Sequence, residues 1–168
     1  MSVKSPFAAI AHPLPSNGTL LPLVDTSDAA AIAALLVVED PWRTLGYQEE
    51  TVSRYLMRPD PALHRFRLMR EGVLVGVLGI RYPWLRGPYI ELIGVTPEAR
   101  GFGLGGAVVT WIEEEARGEA ANLWACVSES NADARRFYAR RGFIEVAPID
   151  DLVARGHAEI LLRKRLLG

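Results

Sequence analysis

The amino-acid sequence predicts an α/β (α+β) fold, a single domain in which helices flank a mixed, mainly antiparallel sheet. Of the 168 residues, 49% are hydrophobic and 23% are charged, a balance typical of one soluble domain with its own core. Apolar residues recur with strand and helix periods in the order β-α-α-β-β-β-α-β-α-β-β. No internal repeat or long linker divides the chain. This order favours helices layered on one sheet.

The N-terminal segment is expected to stand apart from the folded domain. Residues 1–18 contain one lysine, three prolines and no long apolar run, which argues against a signal peptide. We therefore expect a loose N-terminal arm at 1–18 and one folded domain at 19–168. The first strand of that domain is predicted over 19–24.

Two helices come next. Asp25 can cap a helix over 26–39, because the apolar residues of that stretch fall on one face. Asp40-Pro41 ends the helix, since a residue that precedes proline avoids the helical conformation. A second helix is predicted over 47–57, and the prolines of 58–61 stop it.

Six further strands and two helices complete the order. The tight Glu71-Gly72 turn joins the first two of these strands, and a turn at 83–88 precedes the third. A helix at 104–117 carries an apolar stripe with helical spacing. The strands are predicted at 64–70, 73–81, 89–95, 122–128, 143–147 and 158–165, and the last helix at 131–141.

Charge and cysteine content argue against several classes of protein. The formal net charge of −1 gives no electrostatic reason to expect nucleic acid or a membrane surface as a partner, and no apolar run could span a bilayer. The lone cysteine, Cys126, suits a reducing cytoplasm and is interpreted as a small buried hydrophobe. Three scattered histidines lack the spacing of a metal site, so no metal is expected. The sequence leaves a homodimer open.

The strongest chemical signal is a glycine-rich turn between a strand and a helix. Arg100 is followed closely by Gly101, Gly103, Gly105 and Gly106. Glycines let the backbone approach a ligand and aim several N–H groups in one direction. The helix that follows adds unpaired N–H groups and the positive end of its dipole. Such a turn is suited to a phosphate or pyrophosphate.

Three interpretations of this turn compete. Gly101-x-Gly103-x-x-Gly106 satisfies the dinucleotide-binding fingerprint, whose first glycine should directly follow a strand. Here residues 96–100 separate the strand from that glycine, which argues against a dinucleotide. A turn without any ligand is the second interpretation. The third rests on the spacing of Arg100, Gly103 and Gly105.

Arg100-x-x-Gly103-x-Gly105 resembles the Arg/Gln-x-x-Gly-x-Gly/Ala signature of the GNAT family of N-acetyltransferases. The predicted element order matches that family from about Leu20 to the C-terminus. The resemblance implies a GNAT domain at 19–168 with acetyl-CoA as co-substrate. It implies that the turn binds the pyrophosphate through Arg100, Gly101, Phe102, Gly103, Leu104, Gly105 and Gly106.

The resemblance also assigns the strand before the turn to the coenzyme. In the family a bulge splays this strand from the next one, and the pantetheine arm lies in the gap and bonds to main-chain groups as an added strand would. The corresponding residues are Ile93, Gly94 and Val95. A main-chain N–H at Val95 or a neighbour is expected to bind the thioester oxygen. Core packing is the alternative role of the Ile93 and Val95 side chains.

Tyr138 is the strongest side-chain candidate for catalysis. Asn131-x-x-Ala-x-x-Phe-Tyr138-x-x-x-Gly-Phe143 resembles a second signature of the family, whose tyrosine donates a proton to the coenzyme thiolate. Asn131 and Tyr138 lie two helical turns apart, about 10.5 Å of rise, on one face. The asparagine is expected to cap the helix and to contact the coenzyme. Core packing by Tyr138 and capping alone by Asn131 are the alternatives.

Glu91 is the candidate general base. Alternation places Glu91, Ile93 and Val95 on one face of the strand unless a bulge intervenes. A carboxylate in an apolar setting can have its pKa raised toward the working range of a base. Alternatively, Glu91 only orients a cationic substrate or pairs with Arg81 or Arg86.

Together these residues predict an acyltransferase that moves an acetyl group from acetyl-CoA directly to a primary amine in a ternary complex. The acceptor is a small amine or a protein N-terminal or lysine amine. A non-catalytic module that senses acyl-CoA is the alternative, and the presence of both Tyr138 and Glu91 speaks against it.

The segments 39–50, 82–89 and 148–157 are expected to select the acceptor. A candidate contact to the coenzyme 3′-phosphate is one of Arg135, Arg136, Arg140 and Arg141.

Overall fold

A computed structural model describes residues 5–166, so residues 1–4 and 167–168 lie outside the description. The strands are β1 (His12–Leu14), β2 (Gly18–Pro22), β3 (Leu63–Arg70), β4 (Val73–Trp84), β5 (Gly87–Val95), β6 (Asn122–Ser128), β7 (Ile144–Asp150) and β8 (Ala158–Arg165). The α-helices are α1 (Thr26–Val37), α2 (Glu49–Met57), α3 (Leu104–Glu115) and α4 (Ala132–Arg140). A 3₁₀ helix, Pro97–Phe102, lies between β5 and α3.

The strands form one mixed sheet in the order β1-β2-β3-β4-β5-β6-β8-β7. Only the β5–β6 pair is parallel, and every other neighbouring pair is antiparallel. The prediction of a mainly antiparallel sheet flanked by helices is therefore confirmed. The single parallel pair lies at the centre of the sheet, where α3 connects β5 to β6.

Hydrophobic cores cover both faces of the sheet. The larger core joins the sheet to α3 and α4, and its members include Phe66, Leu78, Ile90, Leu104, Ile112 and Tyr138. The smaller core lies under α1 and α2 and includes Ile32, Leu36, Val52, Leu56, Val77 and Leu92. Burial on both faces explains why β4 has a nearly continuous apolar sequence rather than an alternating one.

The four predicted helices are confirmed, and their ends agree with the structure to within two residues. The Asp25 carboxylate accepts a 2.9 Å hydrogen bond from the Asp28 N–H and caps α1. Helix α2 begins at Glu49 rather than at position 47. Differences of this size are ordinary, because helix ends fray and have few hydrogen bonds.

The described part of the N-terminal arm is not loose. β1 pairs with β2 in an antiparallel hairpin, and Phe7 is only 2% exposed. The Phe7 ring lies 5.7 Å from the Trp111 ring of α3 and 6.0 Å from the Tyr82 ring of β4. The expectation of a loose arm over 1–18 was wrong for these residues, because single aromatic anchors and a three-residue strand leave no periodic pattern in a sequence.

The hairpin between β4 and β5 is tighter than the predicted turn at 83–88. β4 continues through Pro83, and Trp84 pairs with Gly87. Leu85 and Arg86, both with positive φ, form the turn. The Trp84 ring stacks on the Tyr89 ring at 4.7 Å between centroids, so aromatic packing extends the hairpin past the proline.

Candidate active site

A gap opens between β5 and β6 at the centre of the sheet. The two strands pair only at Tyr89 with Trp124 and at Ile90 with Ala125. On the other side of β5, Ile90 pairs with Ile80 and Leu92 pairs with Gly79, so Glu91 is an extra residue and forms a bulge. β5 and β6 therefore separate as the family resemblance implies, and the bulge in β5 lies at Glu91.

The main chain of β5 borders this gap. The Thr96 N–H donates a 2.8 Å hydrogen bond to the Val75 carbonyl, which fixes that amide toward β4. Because main-chain groups alternate in direction along a strand, those of Val95 and Ile93 face the gap. Their side chains pack partly against the core under α3. Ile93 and Val95 can therefore offer main-chain groups to a coenzyme while their side chains pack in the core.

Gly94 serves helix packing. A β-carbon on Gly94 would lie 2.7 Å from Leu36 Cδ2 of α1 and 3.4 Å from the Trp42 ring. The absence of that carbon lets α1 and the loop after it approach β5 closely. The geometry at Gly94 therefore explains a need for glycine without a coenzyme.

The turn predicted to hold a pyrophosphate remains open on one side. Gly103 has φ +73° and forms the N-cap of α3, a conformation that favours glycine. A β-carbon on Gly101 or Gly103 would meet nothing within 4 Å. The first N–H groups of α3 have no partner within the helix. The turn therefore fits a diphosphate that approaches the backbone at the helix N-terminus.

Gly105 and Gly106 face α4 instead. A β-carbon on Gly105 would lie 3.5 Å from the Phe137 ring, and one on Gly106 would overlap the Arg141 guanidinium. Arg141 also lies over the Phe137 ring, 4.7 Å from its centroid. Of the four arginines considered for the 3′-phosphate, Arg141 is therefore the one that touches the glycine turn.

Three other side chains of the turn have partners within the protein. Arg100 Nε donates to the Val95 carbonyl at 3.0 Å, and its Nη2 donates to Glu39 Oε2 at 2.9 Å. Phe102 is exposed and lies under the Arg70 guanidinium. Leu104 is completely buried in the core, so it can offer only main-chain groups to a coenzyme.

Tyr138 lies on the α3 side of the gap. Its ring is 3% exposed and packs edge-on against the Phe137 and Phe143 rings. Burial raises the pKa of Tyr138, and the Cys126 thiol of β6 adds to the rise. The hydroxyl therefore stays protonated at neutral pH, as a proton donor must. Asn131 caps α4 by accepting a 3.0 Å hydrogen bond from the Ala134 N–H.

Glu91 faces α2, on the opposite side of the sheet from Ile93 and Val95. The expectation of one shared face was wrong, because the bulge at Glu91 shifts the alternation. Its carboxylate accepts a 2.7 Å hydrogen bond from the Tyr55 hydroxyl and bonds of 2.5 and 3.2 Å from Arg81. The hydrogen bond with Glu91 raises the pKa of Arg81. These contacts match the alternative in which Glu91 pairs with Arg81.

Sequence reasoning missed a second carboxylate near the gap. Glu159 of β8 is 5% exposed and accepts a 2.7 Å hydrogen bond from Ser128 Oγ of β6. The signal was available, because a glutamate inside the apolar run 158–162 is unusual for a buried strand. Tyr55 was also missed as a partner of Glu91, since it comes from α2, 36 positions away in the chain.

Residues 5–166 contain neither a candidate metal site nor a candidate membrane-spanning helix. No three His, Cys, Asp or Glu side chains there are grouped in a way that could hold a metal ion. No helix in that range is both long and apolar enough to cross a membrane. Cys126 is half-buried and forms no disulfide there.

Comparisons with known proteins agree with this architecture. The profile of the Acetyltransferase (GNAT) family matches residues 31–143. An aminoalkylphosphonate N-acetyltransferase of Salmonella typhimurium is 34% identical over 92 residues, which are 50% of this chain and 58% of that protein. The chain thus matches little more than half the length of that relative.

Solved structures show the same fold. A nourseothricin acetyltransferase is 30% identical, with a TM-score of 0.58 over 66% of this chain and 69% of its own. An acetyltransferase from Thermus thermophilus is 22% identical, with a TM-score of 0.70 over 89% of this chain and 97% of its own. With the splayed strands, the glycine turn and a family match over most of its length, the chain belongs to the GNAT acetyltransferase family.

Proposed function

We propose that the protein transfers an acetyl group from acetyl-CoA directly to a primary amine in a ternary complex. The observation that carries this proposal is the gap between β5 and β6, with the glycine turn after β5 and with Cys126 of β6 close to Tyr138. Family membership supports acetyl transfer, and the name of the Salmonella relative supports a nitrogen acceptor.

The coenzyme follows the path that the backbone leaves open. The turn around Gly101 and Gly103 receives the pyrophosphate, and Arg141 offers a positive charge beside it. The pantetheine arm lies in the gap and bonds to the main chain of Ile93 and Val95 as a short added strand. The Val95 N–H, or that of a neighbour, binds the thioester oxygen as negative charge develops there.

The reaction needs one proton donor and a neutral amine. The amine nitrogen attacks the thioester carbonyl carbon, a C–N bond forms, and the C–S bond breaks. Tyr138 donates its proton to the departing thiolate, and the attacking nitrogen loses a proton to water, which restores the tyrosine hydroxyl. Glu91 holds both of its oxygens in hydrogen bonds with Tyr55 and Arg81. We therefore propose that the acceptor approaches from the face of the sheet covered by α1 and α2, the acceptor side, where Glu91 acts as a fixed anion. Base catalysis by Glu91 would require one of those bonds to open.

The setting of the reaction is also a proposal. The lone cysteine supports a reducing compartment, the cytoplasm. The net charge of −1 supports acetyl-CoA and an amine, rather than nucleic acid or a membrane, as partners. Homodimerisation stays open, and sedimentation of the purified protein would decide it.

Thiol release tests the proposed function. The protein is incubated with acetyl-CoA and one of several primary amines, including an aminoalkylphosphonate, spermidine and a peptide with a free N-terminus. We expect at least one amine to give saturable release of coenzyme A and an acetylated product by mass spectrometry. Binding of acetyl-CoA without acetylation of any amine in a broad panel would favour the sensor module instead.

A further inference from the structure

Glu159 is a buried carboxylate that the proposed mechanism does not use. Its side chain is 5% exposed, and its hydrogen bond comes from the neutral Ser128 hydroxyl. Within residues 5–166, none of the ion pairs involves Glu159. A buried carboxylate without a cationic partner is costly, so such a group calls for an explanation.

Alternation along β8 shows which side of the sheet Glu159 faces. Ile160 and Leu162 belong to the core under α3, and Lys164 forms an ion pair with Glu113 of α3. Glu159 therefore points to the opposite face, which α1 and α2 partly cover. This is the face on which Glu91 meets Tyr55. Glu159 thus lies on the acceptor side of the gap.

Two tyrosines lie close enough to this carboxylate to sense its charge. Burial raises the pKa of Tyr47, in the loop between α1 and α2, and the negative charge of Glu159 adds to the rise. Burial likewise raises the pKa of Tyr89 of β5, with Cys126 and Glu159 among the further causes. Aromatic faces beside a carboxylate attract organic cations, because ring faces carry partial negative charge.

The two acceptor-side carboxylates differ in their partners. Arg81 forms an ion pair with Glu91, whereas the hydrogen bond to Glu159 comes from the neutral Ser128 hydroxyl. We propose that Glu159 binds the acceptor nitrogen in its protonated form, before that nitrogen loses a proton to water and attacks, so that Glu159 selects cationic amines. This inference rests on the proposed function, and it assigns the acceptor site to the α1–α2 face of the sheet, beside Glu159.

The test measures binding of a simple cation to the protein saturated with coenzyme A. n-Butylammonium is titrated by calorimetry, with n-butanol as its neutral counterpart. We expect saturable binding of n-butylammonium, none of n-butanol, and affinity about tenfold weaker or worse in Glu159→Gln, which keeps the shape but loses the charge. Glu145→Gln, at an exposed position on β7, is the matched control and should bind as the wild type does.

Ser128→Ala provides a second test that leaves the carboxylate in place. Loss of the Ser128 hydroxyl should leave n-butylammonium binding equal or tighter, and weaker binding would contradict the proposal. Unchanged affinity in a folded Glu159→Gln variant would overturn it, as would the absence of saturable binding in the wild type. If coenzyme A itself does not bind, the proposed function fails; if coenzyme A binds and n-butylammonium does not, only this inference fails.

Discussion

The Tyr55 hydroxyl donates a 2.7 Å hydrogen bond to the Glu91 carboxylate, which joins the second helix to the bulge of the central strand. Arg81 holds the same carboxylate from β4 and also donates to Asp60 at 3.1 Å. One network thus links α2, β4 and β5 on the face of the sheet covered by α1 and α2. The network holds β5 at Glu91, directly after the last residue that pairs with β6.

Glu91→Gln should therefore affect stability more than the chemical step. The change removes one of the two carboxylates that pair with Arg81 in a partly buried site, so we expect the free energy of unfolding to fall by about 1–3 kcal/mol. The rate should fall by less than about tenfold, with an unaltered pH profile. Denaturant unfolding and the pH dependence of kcat measure the two effects. A rate loss of about a hundredfold with a shifted pH profile would restore Glu91 as the general base.

Tyr138→Phe should lower turnover and leave the affinity for acetyl-CoA nearly unchanged. The variant keeps the ring that packs on Phe137 and Phe143 but removes the proton donor. We expect kcat to fall by roughly 10²–10⁴-fold where chemistry limits the rate. Tyr82→Phe, which alters another buried tyrosine of the same core, is the control and should retain activity. Equal kcat in both variants would remove Tyr138 as the acid.

Gly103→Ala should weaken both the fold and the coenzyme site. Gly103 has φ +73°, which costs a residue with a β-carbon about 1–2 kcal/mol. Distortion of the turn should also raise the Kd for acetyl-CoA. Gly101→Ala is the control for stability, because its β-carbon would meet nothing within 4 Å and its φ is not positive. Thermal unfolding measures the effect, and an equal decrease of Tm in the two variants would contradict this explanation of the turn.

Cys126 should react slowly with thiol reagents, and acetyl-CoA should protect it. Burial raises the pKa of the Cys126 thiol, so less reactive thiolate is present at a given pH than for a free cysteine. The rate of alkylation should therefore keep rising to a higher pH than that of a free thiol. Since Cys126 borders the gap, bound acetyl-CoA should slow the reaction further. Alkylation followed by mass spectrometry measures both effects, and fast, unprotected alkylation would place Cys126 outside the coenzyme path.

Local patterns predicted seven of the eight strands, the helices and the glycine turn, because each depends on residues close together in the chain. The Asp25 cap and the αL conformation at Gly103 are examples. Features made by distant residues were not predictable in this way. Arg100 and Glu39 are 61 positions apart, and Ser128 and Glu159 are 31 apart.

The bulge at Glu91 shows the same limit within a single strand. Alternation alone put Glu91 on the face of Ile93, and only the pairing of β5 with β4 reveals the extra residue that reverses it. The roles of Tyr138, Asn131 and the turn residues came from the family resemblance. They stay predictions until a coenzyme is measured in place.

Calorimetric titration of the wild-type protein with acetyl-CoA, with NAD in a parallel cell, tests the central claim most directly. The account predicts saturable binding of one acetyl-CoA per chain, weaker binding in Gly103→Ala, and no binding of NAD. Saturable binding of NAD without acetyl-CoA, or heat from neither ligand, would contradict it.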